Sequence, residues 1–165
     1  MKLYIMRHGD ASAAQPGQKD ADRILSAEGE REVLTNAKWL AESVQNQALD
    51  LVISSPYARA RNTATIVHSV LASDTQELCN DVTPDGVPEQ FISYLQAIVS
   101  HHDIDAADGR VLVVSHMPFV SYLVAELDHR VQPPIFPTAG IAEIDFDVHS
   151  GKGKLNNLII ADHCV

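Results

Sequence analysis

Cysteine is nearly absent from this 165-residue chain: Cys79 and Cys164 stand far apart and outside any C-x-x-C or C-x-x-H pattern. That excludes a disulfide framework and a zinc knuckle and leaves two ordinary thiols. Basic residues are also scarce, 12 Lys plus Arg against 22 Asp plus Glu, for a formal net charge of −10. Affinity for a phosphate backbone needs clustered Lys and Arg, so nucleic acid is not an expected partner. No apolar run approaches the roughly 18 residues of a membrane span, and no basic stretch followed by an apolar one opens the chain. The expected setting is the cytoplasm, with no membrane contact. Internal repeats and low-complexity tracts are lacking, and the length suits one domain, 1–165, able to bury a two- or three-layer core.

What is present is an alternation of short apolar runs with helical patterns, the mark of an α/β fold with a largely parallel sheet. Leu3 to Met6 reads as a strand and residues 11 to 25 as a long loop. Ser26 is placed to cap a helix reaching about Ser43, with Val33, Leu34, Ala37, Trp39, Leu40 and Ala41 on its apolar face. Leu49 to Ile53 is a second strand, and Pro56 suits the first turn of a helix to about Leu71. Residues 72 to 88 read as a second long loop before a helix over Glu89 to Val99. Val111 to Val114 is the strongest strand signal, followed by a helix from about Pro118 to Glu126. Gly140 to Val148 and Lys154 to Ala161 alternate like the arms of a hairpin.

Three of these strands run into polar residues: Met6 into Arg7-His8-Gly9, Ile53 into Ser54-Ser55-Pro56 with Arg59 one turn on, and Val114 into Ser115-His116. In parallel α/β sheets the carboxyl ends of the strands share one edge, where ligands bind, so the three segments should converge. Two guanidinium groups and two imidazoles then meet without an obligatory carboxylate. Guanidinium forks match tetrahedral oxyanions and cannot discharge by losing a proton, so the natural occupant is a phosphoryl group. Eight histidines raise the alternative of a metal. A cation beside Arg7 and Arg59 is electrostatically opposed, and no H-x-x-x-H or carboxylate-rich cluster accompanies the histidines, so no metal and no cofactor are expected. His101 and His102 read as a solvated pair at a helix end, and His68, His129, His149 and His163 as surface residues. Ser54 and Ser55 read first as caps of the helix at Pro56 and only second as ligands; Arg61 reads as surface.

Met6-Arg7-His8-Gly9, the run Ser54 to Ala64, and Val113-Val114-Ser115-His116 resemble, in order and spacing, the three signatures of the histidine phosphatase superfamily, which includes phosphoglycerate mutases and acid phosphatases. The fragment Lys19 to Gly29 is similar to a weaker family element through Arg23, Leu25, Ser26 and Gly29. Within the superfamily, Arg7 to Ala11, Thr83-Pro84-Asp85-Gly86 and Ser115 to Leu127 are similar to the small SixA-type protein phosphohistidine phosphatases. The resemblance implies a phosphoglycerate mutase-like three-layer α/β/α sandwich around a mostly parallel sheet. No segment is long enough for a large lid insertion, so a shallow, open site is expected.

The same resemblance implies His8 as the nucleophile that forms a phosphohistidine intermediate, with Arg7, Arg59 and His116 holding the phosphoryl oxygens. Arg7, Arg59 and a charged His116 are expected to lower the His8 pKa, and a backbone carbonyl near Gly9 to hold its tautomer. Gly9 is assigned to the phosphate site through close approach of backbone to ligand. Relatives that cleave esters use a carboxylic acid to protonate the leaving alkoxide; the nearest matches are Asp81 and then Asp85. A weak acid position suits phosphohistidine, because imidazole can leave already protonated. The expected substrate is a phosphorylated histidine-containing phosphotransfer (HPt) domain of a phosphorelay kinase, the expected ion in the site phosphate or sulfate, and the expected form a monomer. A small-molecule phosphomonoesterase is the alternative within the superfamily, and a non-catalytic phosphohistidine-binding regulator the alternative outside enzymes.

Overall fold

The computed structural model describes residues 1–160, so Cys164 and His163 lie outside the described residues. Six strands form one sheet: β1 (Lys2–Arg7), β2 (Leu49–Ser54), β3 (Ser73–Leu78), β4 (Arg110–Ser115), β5 (Ile141–Asp147) and β6 (Lys152–Ile159), in the order β3-β2-β4-β1-β5-β6. The first four strands are mutually parallel. The β5–β6 hairpin adds antiparallel to β1.

The period of two along each buried strand builds both sides of the core. Leu3, Ile5, Leu51, Ile53, Val111 and Val113 pack against Phe91, Leu95, Phe119 and Leu123 from α3 (Pro88–His101) and α4 (Phe119–Leu127). Their alternates Tyr4, Met6, Val52, Leu112 and Val114 meet Val33, Ala37, Leu40, Ala60 and Val67 from α1 (Ala27–Ser43) and α2 (Ala58–Val70). Helices thus cover both faces, giving an α/β/α sandwich around a mixed sheet. Ser26 caps α1 by accepting the Gly29 N–H at 3.0 Å, and Pro88 opens α3 where its missing N–H costs nothing.

Two local expectations are corrected. Residues 73–78 are an edge strand rather than loop, paired in parallel with β2. Ser-Asp-Thr-Gln-Glu-Leu carries almost no apolar signal because an edge strand beside a covered sheet needs little, and its pairing is decided by β2 rather than by its own pattern. Helix α2 begins at Ala58, two residues past Pro56, with Tyr57 as its N-cap. Neither Ser54 nor Ser55 caps it: the Ser54 hydroxyl donates to the Ser55 carbonyl, and Ser55 Oγ accepts the Tyr57 N–H in a turn that precedes the helix. No helix among the described residues is long and apolar enough to cross a membrane.

Candidate active site

The parallel ladder aligns three strand ends. Arg7 pairs with Ser115 and Ser54 with Val114, while His8 N donates to Ser115 O and Ser55 N to Val114 O, both at 3.0 Å. The residues just past the strand ends, His8, Ser55 and His116, are therefore held side by side by backbone hydrogen bonds. Arg59, on the first turn of α2, reaches the same place.

His8 is buried, and its Nδ1 lies 2.6 Å from the carbonyl oxygen of Gly9. A carbonyl only accepts, so the proton sits on Nδ1 and the lone pair on Nε2. That lone pair receives the Arg59 Nε–H at 3.3 Å. Burial, aided by Arg59 and Arg7 and opposed by the Gly9 carbonyl, pushes the His8 pKa down to about 4, so the ring is neutral at pH 7. His116 lies edge-on to His8 with ring centroids 5.1 Å apart. Burial foremost, then His8 and Arg59, pushes its pKa down to about 3. The expectation of a charged His116 is corrected: it is a neutral ring, and desolvation rather than neighbouring charge is the first cause of the low His8 pKa.

Arg7 donates through one terminal nitrogen to Phe136 O at 2.8 Å. Its Nε and the Nδ1 of His116 are buried with no hydrogen-bond partner among the described residues. A buried polar group left unpaired costs about 1–3 kcal/mol, so the two nitrogens create a local demand for a partner. Arg7, His8, Arg59 and His116 line one open cavity of about 310 Å³, together with Asp10, Asp20, Arg23, Pro84, Met117 and Thr138. Several donors converging on one cavity suit a tetrahedral oxyanion.

Residues 3–82 match the family model described as histidine phosphatase superfamily (branch 1). The chain is 37% identical over 157 residues to phosphohistidine phosphatase SixA of Escherichia coli (strain K12), covering 94% of this chain and 91% of that one. It is 31% identical over 153 residues to a phosphohistidine phosphatase SixA homolog of Haemophilus influenzae, covering 89% of each. A solved structure of the protein histidine phosphatase SixA complexed with tungstate superimposes with a TM-score of 0.86 at 35% identity, over 98% of this chain and 97% of that one. The chain belongs to the histidine phosphatase superfamily.

As a phosphatase of that superfamily, the protein departs from the sequence-based site in three places. Gly9 does not line the cavity. Its N–H donates to Thr63 Oγ1 at 3.2 Å, and a Cβ built there would lie 2.6 Å from Gly29 O and 2.7 Å from Val33 Cγ2. The approach of α1 by itself accounts for the glycine. Asp81 and Asp85 do not line the cavity either: Asp81 lies in the short 3-10 turn Asn80–Val82 and Asp85 is exposed, while Pro84 between them reaches the wall. Ser55 touches His116 without lining the cavity. Its hydroxyl lies 2.7 Å from His116 Nε2 and fixes the orientation of that ring.

Sequence reasoning assigned no part to Asp20, Glu32 or Thr138. The Asp20 backbone and carboxylate hold both terminal nitrogens of Arg59, at 2.8 and 3.1 Å, and the carboxylate also pairs with Arg23 at 3.0 Å. Buried Glu32 accepts the Asp10 N–H at 3.0 Å and the Thr138 hydroxyl at 2.7 Å, joining α1 to two sides of the cavity. The family-like match at Arg23 was the one signal pointing to the first of these groups. Among the described residues, no cluster of three or more His, Cys, Asp or Glu is arranged to hold a metal ion. His102 Nε2 pairs with Glu77 at 2.9 Å, so it is not merely a solvated partner of His101, and His68 is engaged by Gln76.

Proposed function

We propose that the protein is a protein phosphohistidine phosphatase that dephosphorylates an HPt domain of a phosphorelay kinase through a covalent intermediate on His8. The observation that carries this reading is the state of His8: neutral, with Nδ1 committed to Gly9 and Nε2 bearing the lone pair at the wall of an arginine-lined cavity. In the first step the Nε2 lone pair attacks phosphorus as the bond from phosphorus to the substrate imidazole breaks. In the second, water attacks phosphorus, the bond to Nε2 breaks, and inorganic phosphate leaves. Arg7, Arg59 and His116 supply fixed donors to oxygens whose charge persists through both steps.

The nature of the carboxylates supports the phosphorus–nitrogen bond as the one cleaved. Asp20, the carboxylate nearest Arg59, is held below the usual carboxylate range by its hydrogen bond to Arg23 and then by Arg59, so at neutral pH it has no proton to give. Asp10 is committed as an acceptor of the Ser26 hydroxyl at 2.6 Å. An alkoxide needs a proton as it leaves, whereas imidazole, with a pKa of about 6.5, departs as a neutral molecule from a protonated phosphoimidazole. The open cavity suits a phosphoryl group presented on a protein surface, and the related SixA was solved with tungstate, itself a tetrahedral oxyanion.

Rates on a phosphorylated HPt domain and on p-nitrophenyl phosphate test the reading. A strong preference for the phosphohistidine domain is expected; a preference for the ester would replace it with the phosphomonoesterase reading.

A further inference from the structure

Arg59 is nearly fully buried, and every one of its guanidinium nitrogens is engaged: Nε on His8, one terminal nitrogen on the Asp20 carbonyl, the other on the Asp20 carboxylate. The Asp20 side chain itself is 59% exposed and sits in a short 3-10 turn, Asp20–Asp22, of the long segment between β1 and α1. A half-exposed carboxylate on a loop is thus seated on the guanidinium fork assigned above to the phosphoryl oxygens. Arg23, on the same segment, holds the other Asp20 oxygen and lines the same cavity. We propose that Asp20 is a specificity-determining residue, an internal competitor for Arg59 that weakens the hold of the site on free inorganic phosphate.

The physical basis is simple charge arithmetic. Phosphate on Arg59 must share the guanidinium with the Asp20 carboxylate or displace it, and either choice brings a cost that a neutral residue would not impose. Asp20 is fully ionised at neutral pH because Arg23 and Arg59 favour its charged form. A phosphoryl group carried on a protein overcomes this cost with contacts outside the cavity, but free phosphate has none. The residue therefore selects for phosphate attached to a partner and hastens loss of the product. The inference rests on the reading of the cavity as a phosphoryl site.

Titration of inorganic phosphate into the intact protein by calorimetry, with no turnover involved, tests it. Asp20→Asn removes the charge and keeps an oxygen able to accept from Arg59 while losing the acceptor facing Arg23, and Asp20→Ala serves as a second variant that places no donor against either arginine. Phosphate should bind either variant about tenfold tighter than it binds the wild type, the effect of removing one partly screened charge a few ångströms away. The apparent KM for a phosphorylated HPt domain should fall by a smaller factor than the phosphate dissociation constant. Unchanged or weaker phosphate binding in both folded variants, alongside wild-type binding that is lost in Arg59→Ala, overturns the competitor role alone. Phosphate binding that is indifferent to Arg59→Ala overturns the phosphoryl-site reading and the inference with it.

Discussion

His116 Nε2 lies 2.7 Å from the hydroxyl oxygen of Ser55, joining the ends of β4 and β2 through two fully buried side chains. Ser55 Oγ also accepts the Tyr57 N–H, so a single hydroxyl fixes both the imidazole and the turn that leads to Arg59. Ser55→Ala should lower kcat by up to about a hundredfold through misplacement of His116 and leave KM little changed. In a Ser55→Ala, His116→Ala double variant the serine change should add almost nothing, because it acts through the histidine. Additive losses in kcat would mean that Ser55 acts on its own.

The two depressed histidines predict an acid-side loss of stability with a specific window. Both rings are neutral when folded, with pKa values pushed to about 4 and about 3. The unfolded chain protonates them near 6.5, so between about pH 6.5 and 4 it binds more protons than the native state. Stability should therefore decline by a few kcal/mol as pH falls through that window, above the range in which depressed carboxylates such as Asp20 and Asp145 begin to lose theirs. Urea unfolding at several pH values should give a shallower slope for His116→Ala than for the wild type; parallel slopes would argue that the ring is charged in the folded state.

Gly9→Ala is expected to be damaging for a reason unrelated to ligand binding. The added carbon would lie 2.6 Å from a backbone oxygen of α1 and 2.7 Å from Val33, so the strand end and the helix must separate. Overpacking of this kind costs about 1–3 kcal/mol, readable as a lower urea midpoint, and the adjacent His8 should move with it. Full stability with lost phosphate binding would instead return Gly9 to the ligand site.

Glu32→Gln should be destabilising although it is nearly isosteric. Both carboxylate oxygens accept, one from Asp10 N and one from Thr138 Oγ1, and an amide turns one acceptor into a donor facing a donor. A loss of about 1–3 kcal/mol in urea unfolding is expected. Thr138→Val added to the Glu32→Gln variant should cost less than it does in the wild type, since the hydroxyl has already lost its acceptor.

The parts of the site written as strand ends were legible because apolar runs such as Leu3–Met6 and Val111–Val114 carry their own signal and parallel topology aligns the residues just past them. Arg7, His8, Arg59 and His116 came together by that logic. Strand β3 was hidden because Ser73–Leu78 is polar and only its pairing with β2, not its own pattern, makes it a strand. Asp20 was hidden because it reaches Arg59 from an irregular segment, where no periodicity says which way a side chain faces. The steric reason for Gly9 was not legible because the close approach of Gly29 and Val33 depends on how α1 docks, a tertiary fact. Burial as the first cause of the low His8 pKa belongs to the same class: residue identity reveals the neighbouring arginines, and only packing reveals desolvation.

The central claim is that His8 Nε2 carries the phosphoryl group between substrate and water. Rapid quenching of the protein with a labelled phosphorylated HPt domain, followed by peptide mapping, measures this directly. An acid-labile, alkali-stable phosphoryl group on His8, formed within one turnover and absent from His8→Ala, is the predicted result. Undiminished phosphate release by His8→Ala, with no labelled His8 in the wild type, would contradict it.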